Sequence, residues 1–368
     1  MSDWHAIQNA GEVSSPALLL YPDRIRENIR RMVRLGGGTS RLRPHIKTHK
    51  LAELVRMQIE DGIHKFKCAT IAEAEMAADA GAKDVLIAYP LVGPNAKRLL
   101  DLTQKFPDTK FSCVADDASG IRHLSKAFSD AGRTLDLLLD VDCGQHRTGA
   151  EPGPAAVELY RLIATSPGLR AGGLHVYDGH IHEPDLVKRT EMCATAFAPV
   201  SKFRSELLAA GLSVPRVVAG GTPTFPIHAK NESFECSPGT CLLWDFGYAE
   251  KFTDMDFLIA AVVLTRVVSK PGADRLCLDL GHKAVAAENP APRVKFLNLP
   301  DAVAIGHSEE HLVVESAQAG KFAVGDCLYG VPRHICPTVA LHSEAVVIRS
   351  GIATERWRVT ARERRITI

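Results

Sequence analysis

Between about residues 40 and 245, short runs of apolar and β-branched residues alternate with segments in which apolar positions recur every three or four residues. That alternation is the pattern of parallel α/β folds. It predicts strands over 42–46, 65–69, 84–88, 110–114, 135–141, 171–176, 216–219 and 235–241, with helices over 50–61, 70–80, 94–105, 118–131, 154–165 and 185–210. Thr70 followed by Glu73 is a capping box, and Gly81 is suited to a helix C-terminus. Eight strands with helices between them predict a (β/α)8 barrel of the TIM type.

After about residue 250 the helical period disappears, and strand-like runs with turn signals follow at 257–268, 275–280, 311–315, 326–330, 345–349 and 355–360. The last third therefore reads as an all-β domain. Residues 15–20, Ser-Pro-Ala-Leu-Leu-Leu, form a strand-like segment open to pairing with either domain. The expected organisation is an N-terminal segment at 1–20 that is a candidate strand of the β domain, a barrel at 21–248 and a C-terminal β domain at 249–368.

Composition narrows the function. Of 368 residues, 46% are hydrophobic and 24% charged, as in an ordinary globular protein able to bury a large core. Forty-four Lys and Arg face 43 Asp and Glu, so a net charge of +1 makes no electrostatic case for nucleic acid or an anionic membrane. Met1 to Ser15 contains no apolar signal-peptide core, and no run approaches the roughly 18 apolar residues of a membrane span. Nine cysteines, an odd number, are scattered without framework spacing and mostly within apolar runs, which suggests a reducing, cytoplasmic setting.

The chemistry-bearing residues gather at predicted strand ends. Arg43-Pro44-His45-Ile46-Lys47-Thr48-His49-Lys50 closes the first strand, at the end where barrel active sites lie. A lysine in a barrel mouth, desolvated and beside other cations, becomes available as a neutral amine for imine formation; the alternative is a solvated basic patch. Gly220-Gly221-Thr222 follows the seventh strand, where small residues let backbone N–H groups approach a phosphate, although a plain turn reads the same way. Arg147, held between Gly144 and Gly149, is placed for a cofactor or substrate carboxylate, or for a salt bridge to a nearby aspartate. His175, Tyr177, Asp178 and His180 crowd the end of the sixth strand and offer groups that move protons or bind metal. In the β domain His334 and Cys336 stand two apart, so on an extended strand they face the same way, and sulfur with imidazole nitrogen favours Zn²⁺.

Taken in order, Arg43 to Lys50, Asp142-Cys143-Gly144 with Arg147 and Gly149, Gly220-Gly221-Thr222 and His334-Ile335-Cys336 resemble the D-threonine aldolase and D-serine dehydratase family. These are metal-dependent fold-type III pyridoxal-phosphate (PLP) enzymes, with a barrel like that of alanine racemase. The resemblance covers about 15–368 and includes Ala72-Glu73-Ala74 and Glu310-His311. It implies PLP on Lys47 as a Schiff base, a phosphate site around Gly221 and Thr222, and a divalent metal, Zn²⁺ or Mn²⁺, on His334 and Cys336. His45, Arg147, Tyr177 and Gly220 join the cofactor residues, and Asp178 and His180 are the candidate bases beside Lys47. A homodimer acting on a small D-amino acid is implied as well. The aldolases carry Asp where this chain has Cys336, which leans the expectation to dehydration of D-serine or D-threo-3-hydroxyaspartate; D-threonine-type aldol cleavage is the alternative. A racemase has no need of the metal pair, and a non-catalytic PLP-binding protein has no need of the β domain. The loop Tyr177-Asp178-Gly179-His180 departs from the Tyr-His-Gly of the aldolases.

Overall fold

The computed structural model describes residues 4–368. It consists of two compact units, one built of Met32–Lys47, Ala52–Gly239 and Glu363–Ile368, the other of the residues up to Arg31, Thr48–Leu51 and Thr240–Arg362. The first strand, β1 (Ala17–Leu20), belongs to the second unit. In the first unit β2 (Lys65–Cys68), β3 (Asp84–Pro90), β4 (Lys110–Ala115), β5 (Leu135–Val141), β6 (Leu169–Val176), β7 (Val217–Ala219) and β8 (Phe234–Cys236) form a parallel sheet in chain order.

The predicted strand at 42–46 takes a different form. Leu42 bridges to Cys236 and His45 to Lys67, both parallel, and the N–H groups of Arg43 and His45 donate to the carbonyls of Cys236 and Pro238. The stretch thus joins β8 to β2 through single bridges. Pro44 lacks an N–H and cannot sustain a ladder, and Ile46–Thr48 turns into one 3₁₀ turn that carries Lys47.

Helices in this unit start where the sequence supplies caps. Thr70 Oγ1 accepts from Glu73 N at 3.1 Å, Glu73 returns a carboxylate oxygen to Ala69 N at 2.7 Å, and helix Ile71–Asp79 follows. Asp117 and Asp185 cap Ala118–Asp130 and Leu186–Ala209 in the same manner.

Inside the sheet the side chains form distinct groups. A charged group holds Arg43, fully buried, with Nε 2.7 Å from Glu235 and Nη1 2.7 Å from Asp84, and continues through Arg216 to Asp136. Leu86, Val114, Leu138 and Val218 form an apolar cluster, and Lys67, Asp140 and His175 form a polar one. Because Arg43 anchors two carboxylates away from water, Arg43→Met should lower unfolding stability by about 3–5 kcal/mol, the usual cost of stranding one side of a buried ion pair. Urea unfolding followed by circular dichroism measures it, and a loss under about 1 kcal/mol would contradict this account.

In the second unit β9 (Ala261–Gly272), β10 (Arg275–Leu278), β11 (Val294–Phe296), β12 (Val303–His307), β13 (Leu312–Glu315), β14 (Cys327–Pro332), β15 (Glu344–Arg349) and β16 (Ile352–Arg358) join β1 in one sheet. The path runs β12-β13-β10-β9-β1-β15-β16, with β14 paired to β9 and β11. β1 is antiparallel to β9 and parallel to β15, and its four residues are buried. Alternation along β9 sends Val263 and Val267 into one apolar cluster and Val262 and Leu264 into another, so both faces of this strand are covered. Among the described residues no helix is long and apolar enough to cross a membrane, and all nine cysteines are free.

Candidate active site

Burial decides the reading of the first motif. Arg43, His45 and His49 are buried, so the run from Arg43 to Lys50 is not a solvated basic patch. His49, with Nδ1 accepting from Leu51 N, is held neutral, its pKa down at about 3 from burial. Lys47 is half-buried, and its Nζ lies 5.8 Å from the centre of the Tyr177 ring. Arg147, whose loop is fixed by Asp142 accepting from Gly144 N and His146 N, brings its guanidinium to 5.1 Å from the same ring. A third cation, Lys67 of β2, places its Nζ 5.6 Å away. Three cations around one tyrosine make an anion-attracting site.

Tyr177 is itself gripped by glycines. A Cβ at Gly179 would lie 2.4 Å from the ring, and one at Gly221 3.1 Å. Gly220 has φ +66°, and a Cβ there would run 2.5 Å from His228. The loop after β7 is tied down by hydrogen bonds: Thr224 Oγ1 donates to Asp178 Oδ1 at 2.9 Å, Gly221 N to Thr224 Oγ1 at 3.3 Å, and Gly239 N to Thr222 Oγ1 at 3.0 Å.

Asp178 is buried, and its other oxygen lies 2.6 Å from His228 Nε2. Both carboxylate oxygens are thus engaged, and Asp178 acts as the anchor of the 220–224 loop rather than as a base open to substrate. Asp178, His228 and Cys193 lie close enough to resemble a metal cluster. The Cys193 thiol is pushed up to about 12 by burial and then by Asp178. All three side chains are buried, and the Asp178 to His228 hydrogen bond joins two of them. His180 is half-buried, its Nδ1 is without a hydrogen-bond partner among the described residues, and its ring packs where a Gly144 Cβ would stand.

The residues present fit a PLP group. Lys47 would supply the amine and the Gly220-Gly221 stretch a close backbone approach, and Ser237 Oγ, buried after β8, has no partner among the described residues. An orphaned buried hydroxyl is a place for a ligand atom. Ser237 and Lys67 were not visible as site residues in the sequence. Lys67 stands in the apolar run Phe66-Lys67-Cys68, and Ser237 in Ser237-Pro238-Gly239, which reads as a turn.

In the second unit His334 and Cys336 do not sit on an extended strand. His334 is the N-cap of helix Ile335–Leu341, so Cys336 is the second helical residue. The side chains nonetheless meet in a hydrogen bond. Asp245 fixes this turn by accepting from Ile335 N at 2.9 Å, and Glu288 lies 2.6 Å from His334 Nδ1. Burial works against charge on His334, but the contacts with Cys336 and Glu288 win and raise its pKa to about 9. Burial likewise opposes a thiolate at Cys336, yet His334 and Thr48, whose Oγ1 lies 3.2 Å from Sγ, bring its pKa below that of an ordinary thiol.

Comparison with known proteins matches residues 21–245 to the alanine racemase N-terminal domain and residues 260–348 to the putative serine dehydratase domain. The chain is 30% identical over 358 residues to the D-threonine aldolase of an Arthrobacter species, covering 95% of this chain and 93% of that one. It is 24% identical over 373 residues to the D-threo-3-hydroxyaspartate dehydratase of Delftia sp. strain HT23, covering 94% and 97%. The crystal structure of D-threonine aldolase from Filomicrobium marinum superposes with a TM-score of 0.88 at 30% identity, covering 96% of this chain and 97% of that one.

Proposed function

As the chain belongs to the fold-type III PLP enzymes, with an alanine racemase-type barrel and a serine dehydratase-type C-terminal domain, we propose that this lyase uses a divalent metal to dehydrate D-β-hydroxy-α-amino acids. The products are an oxo acid and ammonia. The observation that carries the dehydration reading is the placing of His334 and Cys336 at one helix start, with sulfur where the aldolases have Asp.

When bound, PLP supplies the electron sink for the carbanion at Cα. Lys47 Nζ would hold it, and the same amine, when not so engaged, would be the group placed to accept the Cα proton. Gly220, Gly221 and Thr222 would hold the phosphate, on a loop that Asp178 locks through Thr224. Arg147, beside the Tyr177 ring, would attract the substrate carboxylate, and His45 steadies the lysine turn, its Nδ1 accepting from Lys47 N at 3.4 Å. His180 is the second group able to hold a proton.

A divalent ion would be held by Cys336 Sγ and the His334 nitrogen not engaged by Glu288, an outer carboxylate of the kind that orients metal-ligating histidines. Sulfur with nitrogen suits Zn²⁺, and two protein ligands leave positions open for the β-hydroxyl, so the ion would stabilise hydroxide as it departs.

The 30% identity to D-threonine aldolase favours a second reading, cleavage of Cα–Cβ to glycine and an aldehyde. Purified protein supplied with PLP and Zn²⁺ or Mn²⁺ should convert D-serine to pyruvate and D-3-hydroxyaspartate to oxaloacetate. Glycine from D-threonine, or glycine with glyoxylate from D-3-hydroxyaspartate, would establish cleavage instead. In this reading the enzyme is a homodimer, which sedimentation measures.

A further inference from the structure

The site holds a second lysine that the chemistry above does not use. Lys67 is 1% exposed, with Nζ 3.5 Å from His175 Nε2, 3.5 Å from Gly220 O and 5.6 Å from the Tyr177 ring centre that Lys47 approaches at 5.8 Å. His175 Nδ1 lies 2.7 Å from Asp140 Oδ1, so the ring's proton is placed there and Nε2 is left as an acceptor. Two N–H bonds of Lys67 are therefore taken by His175 and the Gly220 carbonyl. What remains on Nζ is a third N–H in the charged form or a lone pair in the neutral one.

The charged groups that act on Lys67 are Lys47 and Arg43 on one side and Asp140 and Asp178 on the other; Arg147 acts on its neighbour His175. Both carboxylates favour the charged lysine, but neither pairs with it directly. Asp140 is taken by His175 and by Thr148 at 2.8 Å, and Asp178 by Thr224 and His228. Burial, and then Lys47, bring the Lys67 pKa down to about 7, while burial keeps His175 neutral. Lys67 thus changes charge near neutrality beside the same tyrosine ring as Lys47.

We propose that Lys67 is a positioning residue whose charge, backed by His175 and Asp140, sets the protonation of the cofactor-bearing nitrogen on Lys47. The inference rests on Lys47 carrying the cofactor. A cation beside that nitrogen disfavours a second positive charge, so a permanent cation at position 67 lowers its proton affinity and an apolar side chain raises it.

The test is a pH titration of the absorbance band of the holoenzyme in wild type, Lys67→Met and Lys67→Arg, with borohydride reduction and peptide mapping to locate the modified lysine. The expected midpoint is higher in Lys67→Met than in Lys67→Arg by about one pH unit or more, as for a charge acting within one buried site. Lys67→Gln, which keeps a donor for Gly220 O, replaces Lys67→Arg if the larger side chain prevents cofactor binding, and its midpoint should match that of Lys67→Met while wild type lies lower. Modification at Lys47 with coincident midpoints, within about 0.3 pH unit, overturns the role of Lys67 alone. A wild-type protein with no reducible band, or one that maps to Lys67, overturns the Lys47 assignment and this inference together.

Discussion

Lys47→Ala protein should lose the borohydride-reducible absorbance band near roughly 410 to 430 nm and at least about a thousandfold in turnover, or about 4 kcal/mol of barrier lowering. The lysine is the covalent anchor on this reading, so no neighbouring hydrogen bond substitutes for it. Its fold should be unaffected, because Lys47 is half-buried on a single 3₁₀ turn and the structural work of the motif falls to buried Arg43, which holds two carboxylates. Lys67 is the internal control: its amine lies at a similar distance from Tyr177, yet it is turned to His175 and Gly220. If Lys47→Ala keeps both the band and activity, the assignment of Lys47 fails; if only a band persists and maps to Lys67, the barrel mouth can accept either amine.

The parts of the fold legible in the sequence were those set by local chemistry. Thr70 with Glu73 marked a helix start because a hydroxyl and a carboxylate at that spacing satisfy free N–H groups whatever else surrounds them. β5, buried at every residue, showed itself by an apolar run, with Asp136 and Asp140 inside it reading as interruptions although they are the strand's inward-facing polar groups. β11 and β12 escaped because one alternates over only three residues and the other exposes most of its side chains. The segment at 42–46 read as a strand from its apolar ends, and Pro44 in its middle is what limits it to single bridges.

Site residues divide along the same line. Lys47, Tyr177 and the two glycines at 220 and 221 stood at predicted strand ends and could be picked from position. Lys67 could not: a lysine within a strand ordinarily reads as pointing to solvent, and only closure of the sheet puts it inside beside His175. Asp178 was visible as a titratable group, but its partners Thr224 and His228 lie 46 and 50 residues away, so its role as an anchor depends on tertiary contact. The spacing of His334 and Cys336 suggested convergence on a strand, whereas the chain achieves it through an N-cap followed by a helical turn.

That turn carries the second large effect. Protein stripped with EDTA, and Cys336→Ala protein supplied with Zn²⁺, should each lose at least about a hundredfold in dehydration, because the ion that would take the leaving hydroxide is gone or misplaced. Both should keep the reducible band on Lys47, which separates loss of the metal from loss of the cofactor. Cys336→Asp is the more discriminating variant. A carboxylate in place of sulfur hardens the site, so metal preference should move from Zn²⁺ toward Mn²⁺ or Mg²⁺, and the ratio of oxo acid to glycine should fall if the thiolate is what favours hydroxide departure. His334 keeps its Nδ1 contact with Glu288 in that variant, so a shift in products is assignable to position 336. Full activity in protein shown by elemental analysis to be free of divalent metal would remove the ion from the reaction, and the choice between elimination and cleavage would then rest on how the barrel residues orient the β-hydroxyl.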